Sequence, residues 1–317
     1  MSANPPVLVL TGPTGSGKSE WAVRLVESAP VPLEVVSVDS ALVYRGLDIG
    51  SAKPDRALRR RIVHHLIDIC EPTESYSAGR FVADALKCIQ DVHARGHVPL
   101  LVGGTLLYLR ALLRGLAPLP QASPEVRLEL DRRAARLGWP ALHAELARVD
   151  PEAARRIHDT DAQRIQRALE VCLATGRPIS ELQRETASPL RHLRVHAWAL
   201  VPGDRAKLHE RLERRFHGMM DAGFLDEVRT LFRRGDLRAT DSSMRAVGYR
   251  QLWAHLAGEC GLEEAMQRGI SATRQLAKRQ LTWLRGERAF QCLDPQPPQA
   301  QASWIGDAQR VIRELGR

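Results

Sequence analysis

Eight residues, Gly12-Pro13-Thr14-Gly15-Ser16-Gly17-Lys18-Ser19, constrain this chain more than any other stretch. They follow the apolar run Val7-Leu8-Val9-Leu10 and precede Glu20-Trp21-Ala22-Val23-Arg24-Leu25-Val26, which reads as a helix. The spacing GxxxxGK[ST] between a buried strand and a helix is that of a P-loop. Glycines let the backbone N–H groups turn inward, and the positive end of the following helix faces the enclosed space. Such a loop takes a phosphate group, while leaving the phosphate compound open.

With 317 residues, the chain is long for one core and is expected to form about two domains. No apolar run approaches the roughly 18 residues of a membrane span. Met1-Ser2-Ala3-Asn4 lacks a basic segment, so Val7 to Leu10 reads as a strand rather than a secretory core, and a cytoplasmic, monomeric protein without membrane attachment is expected. Cys70, Cys88, Cys172, Cys260 and Cys292 stand singly, without zinc or disulfide spacing, and are expected to be reduced. Of the net charge of +9, a surplus of seven falls between Arg191 and Phe290, where 19 Lys and Arg face 12 Asp and Glu. A local excess of this kind suits a polyanionic partner, although solvated helix faces give the same count.

The fold class expected is α/β, a P-loop NTPase-like parallel sheet core carrying an all-helical insertion domain and a mostly helical C-terminal part. Residues 1–120 are read as the first part of the core, 121–190 as the insertion, 191–290 as a basic return to the core and 291–317 as a C-terminal tail. Leu33 to Ser40 is a β-rich run that brings Asp39 to the carboxyl end of a strand, beside the loop after Leu10, where ligands of such sheets gather. Helix capping or magnesium ligation, taken together, are as open to Asp39 at this point as a proton-handling role. His64 to Ile69 reads as a short strand, whose adjacent histidines point to opposite faces and make a poor metal pair. Ala78 to Arg95 is a helix with a stripe at Phe81, Val82, Ala85, Ile89 and Val92. Val98 to Thr105 is a buried strand opening into a glycine turn. It sets Thr105 at another carboxyl end, with capping of the helix Leu106 to Leu113 as the alternative role.

Pro118 to Pro124 reads as a linker. Beyond it, helices are expected over Glu125–Leu137 and Asp161–Thr175, the latter bounded by Asp159 and by Gly176 and Pro178. Gln163, Gln166 and Arg167 share one side of that helix. Val195 to Leu200 returns to the sheet. Helices then follow over Arg205–Ala222, Leu225–Arg234, Gly248–Gly258, Leu262–Arg268 and Ala272–Leu284, the last interleaving cations with Leu276, Leu281 and Trp283.

Three functions fit these features: a small-molecule kinase with ATP in the loop, a nucleic-acid modifying transferase that releases diphosphate there, and a phosphate-dependent switch without chemistry. Four further stretches narrow the choice. Val38-Asp39-Ser40-Ala41-Leu42-Val43-Tyr44-Arg45-Gly46-Leu47-Asp48-Ile49-Gly50-Ser51-Ala52-Lys53-Pro54, Leu101-Val102-Gly103-Gly104-Thr105, Arg245-Ala246-Val247-Gly248-Tyr249-Arg250-Gln251 and Thr273 to Gln280 together resemble the bacterial tRNA dimethylallyltransferases, also called tRNA isopentenyltransferases. The likeness runs from the P-loop to about Trp283, in the same order.

This resemblance implies transfer of a dimethylallyl group from dimethylallyl diphosphate to N6 of adenosine 37 in the anticodon stem-loop of tRNAs reading codons that begin with U, with Mg2+ as cofactor. Asp39 would then accept the proton of a weakly nucleophilic amine, a contribution of about 10²–10⁴-fold. Lys18, the loop backbone, Ser19 through Mg2+ and, by resemblance, Arg215 would meet the charge on the leaving diphosphate, while Thr105 positions N6 or the bridging oxygen. The implied tRNA contacts are Asp39, Ser40, Ala41, Leu42, Thr105, Arg127, Gln163, Arg164, Ile165, Gln166, Arg167, Arg245, Ala246, Val247, Gly248, Tyr249 and Arg250. The base would leave its stack to enter a channel between core and insertion.

Overall fold

The structure is a computed structural model that describes residues 5–117, 119–120, 123–184 and 186–315. Met1 to Asn4, and Pro118, Gln121 and Ala122 of the linker-like stretch, lie outside the described residues. Contacts divide the chain into two compact units. The first runs to Arg110 and resumes at Leu190, and the second spans Ala111–Pro189.

In the first unit, β1 (Pro6–Thr11) leads through the phosphate loop into α1 (Lys18–Ser28), followed by β2 (Leu33–Ser37), α2 (Arg56–Arg61), β3 (His64–His65), α3 (Ala78–Ala94), β4 (Val98–Gly103) and the start of α4 (Leu106–Arg114), whose residues from Ala111 on count with the second unit. β2 and β4 are buried along their whole length, and β1 is buried beyond Pro6. Continuous burial of this kind is what a parallel sheet covered by helices on both faces demands of its strands. The stripe on α3 buries Phe81, Ala85, Ile89 and Val92, with Val82 half-buried.

The second unit is helical: α5 (Pro124–Leu137), α6 (Trp139–Val149), α7 (Pro151–Arg156), α8 (Ala162–Thr175) and α9 (Ile179–Arg184). It encloses a core of its own around Leu130, Leu142, Leu146, Ile165, Leu169 and Ile179. Asp150, fully buried, accepts from the Ala153 and Ser180 amides and from the Ser180 hydroxyl, and so fastens α7 to α9. The residue that starts α8 is Asp161, whose carboxylate accepts from the Arg164 amide, and not Asp159. Gly176, at φ 67°, ends it.

The chain then adds β5 (Arg194–Leu200), α10 (Arg205–Asp221), α11 (Phe224–Arg233), α12 (Tyr249–Leu256), α13 (Leu262–Gly286), β6 (Gln291–Leu293) and α14 (Ala300–Leu315) to the first unit. All six strands are parallel, in the order β3-β2-β4-β1-β5-β6.

Several sequence expectations change here. β4 lies between β1 and β2, so Asp39 does not neighbour the P-loop directly, and the Gly103–Thr105 turn stands between them. The strand expected over His64 to Ile69 stops at His65. Leu66 and Asp68 take φ of 61° and 57°, which turns the chain so that the Ile69 and Cys70 amides reach Val43 O and the Asp68 carboxylate reaches Lys53 and Arg59. The two helices expected around Gly269 are one helix of 25 residues. Gly269 does not break it, because its role is close approach: a Cβ there would stand 2.5 Å from Phe216. Finally, the tail forms the sixth strand and a helix whose Trp304 packs on Trp21 and Trp198, at ring distances of 5.4 and 5.9 Å.

Candidate active site

The carboxyl ends of β1, β4 and β2 carry the P-loop, the Gly103-Gly104-Thr105 turn and Asp39, side by side. Gly15 and Gly17 adopt φ of 77° and 92°, open to glycine and strained for other residues. Gly17 caps α1 without a side-chain hydrogen bond, so the first amides of α1 are left for a ligand. The Ser16 hydroxyl is buried with no hydrogen-bond partner among the described residues. Lys18 folds back to donate to Pro13 O at 3.3 Å. Burial lowers its pKa to about 8, with the Asp39 charge opposing that shift and the Arg215 charge adding to it. Arg215 projects from α10, donates no hydrogen bond to a described residue, and has its own pKa lowered by burial against the pull of Asp39. Two cations without an ion-pair partner among the described residues, next to an uncapped helix start, make a site suited to a polyanion.

Beyond the end of β2, one Asp39 oxygen accepts from the Ala41 and Leu42 amides at 2.8 and 3.2 Å. Its second oxygen accepts from none of the described residues. Asp39 therefore caps a turn with one oxygen and offers the other to a ligand. Thr105 Oγ1 accepts from the Ser40 amide at 3.0 Å and donates to Ser40 Oγ at 3.4 Å, so its side chain ties two strand ends together rather than capping α4. The two ends pack backbone to backbone, since a Cβ on Gly103 would lie 2.0 Å from Val38 O. Thr11 Oγ1 donates to Gly103 O at 2.8 Å and joins the third strand to this pair.

Sequence reasoning missed four residues that hold this arrangement. Arg211 donates to Gly15 O at 3.0 Å, and Gln280 bridges Thr14 N and Gly104 O at 2.9 and 2.7 Å. Lys53, almost wholly buried, donates to Tyr44 O and to the carboxylates of Asp48 and Asp68, which folds the loop after Asp39 onto itself. Glu227 accepts from the amides of Asp48, Ile49 and Gly50 and, at 2.6 Å, from the Tyr249 hydroxyl. A readable signal existed for Gln280, which interrupts the apolar stripe Ala277, Leu281 and Leu284 on α13 with a polar side chain.

The remaining sequence candidates fall into two groups. Next to the core site, Ser40 is exposed and Ala41 and Leu42 are half-buried, while Arg245 and Arg250 are exposed around Ala246 and Val247. Gly248 and Tyr249 are buried, so they support that segment from beneath and present no surface. Within the helical unit, Gln163 and Arg164 are exposed, whereas Ile165 is fully buried in the unit's core. Gln166 donates to Asp131 and Arg127 O; Arg127 and Arg167 both pair with the buried Glu170, and Arg167 also reaches Pro120 O. All five cysteines are free thiols. No helix of the described residues is long and apolar enough to cross a membrane, and among them no three His, Cys, Asp or Glu side chains group as metal ligands.

A parallel P-loop sheet with a polyanion cradle at β1 and a half-free carboxylate two strands away defines the class, a phosphate-binding α/β protein equipped for group transfer. The family model for IPP transferase matches residues 42–287. The tRNA dimethylallyltransferase of Methylococcus capsulatus is 54% identical over 297 residues, covering 93% of this chain and 94% of that protein. Among solved structures, the full-length tRNA isopentenylpyrophosphate transferase of Bacillus halodurans is 33% identical, with a TM-score of 0.70 over 98% of this chain and 97% of that one. A eukaryotic dimethylallyltransferase acting on tRNA is 25% identical, with a TM-score of 0.81 over 98% of this chain and 80% of that one. The chain belongs to the IPP transferase family.

Proposed function

We propose that this chain transfers the dimethylallyl group of dimethylallyl diphosphate to N6 of adenosine 37 in tRNAs reading codons that begin with U. The observation that carries this reading is the row of strand ends in which Thr105 stands between the free oxygen of Asp39 and a P-loop cradle whose Lys18 and Arg215 both sit in the field of Asp39. Family membership supports the same chemistry.

The N6 lone pair is delocalised into the adenine ring, so attack on the allylic carbon needs the amine proton to leave as the bond forms. The free oxygen of Asp39 accepts that proton. The N6–carbon bond forms while the bond from that carbon to the diphosphate oxygen breaks, and the charge gathering on the diphosphate meets Lys18, Arg215 and the first amides of α1. Thr105 and Ser40, locked to each other, hold the acceptor side at a fixed distance from the cradle. Mg2+ fits the residues present. The exposed Ser19 would supply one oxygen ligand, and no carboxylate cluster stands among the described residues, which suits an ion that takes most of its shell from phosphate oxygens and water. Ser19 would hold it, and when bound it neutralises diphosphate charge.

For tRNA, we assign Asp39 to Leu42, Thr105, Arg245 and Arg250 on the core, and Arg127, Gln163, Arg164, Gln166 and Arg167 on the helical unit. The helical unit reads as the tRNA-binding domain and the basic 191–290 region as a source of phosphate contacts. We assign the chain to the cytoplasm, where a tRNA substrate would meet it. The test is to incubate unmodified tRNA with the protein and isotope-labelled dimethylallyl diphosphate, then digest and weigh the nucleosides. Labelled dimethylallyl-adenosine supports the reading. Unmodified adenosine, with ATP hydrolysed instead, would favour a kinase or ATPase.

A further inference from the structure

The geometry points to Gln280 as a positioning residue that sets the distance between the diphosphate cradle and the acceptor side of the site, an inference that rests on the transfer reaction proposed above. Gln280 sits on α13 and is 7% exposed. Its Oε1 accepts from the Thr14 amide at 2.9 Å, inside the P-loop, and its Nε2 donates to Gly104 O at 2.7 Å, one residue before Thr105. The two partners fix the orientation of the amide, because an N–H requires the carbonyl oxygen and a C=O requires the NH2. A single carboxamide thus bridges the loop after β1 and the turn after β4, and only a side chain that is donor and acceptor at once can do so.

The surroundings leave it no slack. A Cβ on Gly104 would stand 2.8 Å from Gln280 Nε2 and 3.6 Å from Lys18 Nζ, so the bridge lies against the charged end of the cradle. Ala277 and Leu281, beside Gln280 on α13, pack on Leu208 and Leu212 of α10, the helix that carries Arg215 and whose Arg211 holds Gly15 O. α13 therefore fixes the P-loop, the Thr105 turn and the Arg215 helix together. The hydrogen bonds Gln280 makes are to backbone, so it touches no reacting atom and acts through the separation of the groups that do.

The experiment compares Gln280→Met, which removes both bonds, with Gln280→Glu, which keeps the acceptor for Thr14 and sets an oxygen against Gly104 O. Each full-length variant is assayed by single-turnover and steady-state transfer, with thermal melts and amide exchange at Thr14. We expect both variants to lose about 10- to 100-fold in kcat with KM for donor and tRNA nearly unchanged, since small misplacements act on rate more than on binding. Thr14 protection should be lost in Gln280→Met and kept in Gln280→Glu. Wild-type kcat in Gln280→Glu would overturn the bridge, reducing Gln280 to a brace for the loop, and so would a loss carried wholly by KM. Should Gln280→Met fail to fold, Gln280→Glu alone decides. An inactive wild type in which Thr14 protection still depends on Gln280 would count against the transfer reaction and not against the bridge.

Discussion

Thr105 Oγ1 accepts the Ser40 amide hydrogen at 3.0 Å and thereby joins the ends of β4 and β2 above the sheet. The bond crosses 65 residues of sequence and fixes Ser40 beside Asp39. Removing the hydroxyl while keeping the shape, by Thr105→Val, should lower kcat by about 10- to 100-fold with the fold intact, whereas Thr105→Ser keeps most activity. Steady-state rates of the two variants check this; equal rates in Thr105→Val and wild type would deny the link a role.

Lys18 gives the reaction a pH limb. Its pKa of about 8 means that the free protein loses this one of the cradle's two cations as pH rises through that value. The kcat/KM for the donor should therefore fall above pH 8, and kcat alone should hold to higher pH, because bound diphosphate favours the charged amine. Lys18→Arg removes the limb at some cost in rate. A pH–rate profile flat to the alkaline end of the protein's stability would contradict the assignment.

The opposite end of the sheet is built for stability. Glu34, 3% exposed near the start of β2, receives Arg95 at 2.9 and 2.7 Å and His65 and His97 at 2.6 Å each. The Arg95 bond comes first among the causes that bring its pKa to about 2, against the resistance of burial. A carboxylate with a depressed native pKa stabilises above its unfolded value of 4.5 and loses that contribution as pH falls toward 2. Glu34→Gln should cost on the order of 3 kcal/mol at pH 7 and progressively less below pH 4.5, while kcat per folded molecule stays unchanged. Denaturant titrations at pH 7 and pH 3 measure the difference, and an equal loss at both would refute it.

Removal of Ala111–Pro189 in favour of a short glycine-serine linker tests the separate role given to the helical unit. Since this unit has its own core, the remainder should unfold cooperatively and bind diphosphate, but tRNA binding should fall by about 30- to 150-fold if the unit supplies about 2–3 kcal/mol of it. Gel-shift titration reads the outcome, and unchanged affinity would refute the role.

What could be read from the sequence was short in range. Gly12 to Ser19 form a P-loop because the glycines, the lysine and the flanking apolar runs are local, and Asp39 and Thr105 announced themselves as polar groups at the ends of apolar strands. Strand order was out of reach, because it depends on β4 pairing with both β1 and β2. So was the pairing of Gln280 with Thr14, 266 residues away, although the polar break that Gln280 makes in an apolar helix stripe was readable. The continuity of α13 across Gly269 was not legible either, since glycine weakens a helix on propensity, whereas here the missing side chain admits Phe216. β6 was too short to show a period, and α14 completes the tryptophan cluster from a stretch that looked like a tail.

If Asp39 receives the N6 proton opposite a leaving-group cradle, Asp39→Ala should abolish single-turnover transfer with labelled donor and tRNA. The rate is expected to lie at least about 100-fold below wild type with tRNA affinity largely retained. A near-normal rate with the affinity unchanged would contradict it.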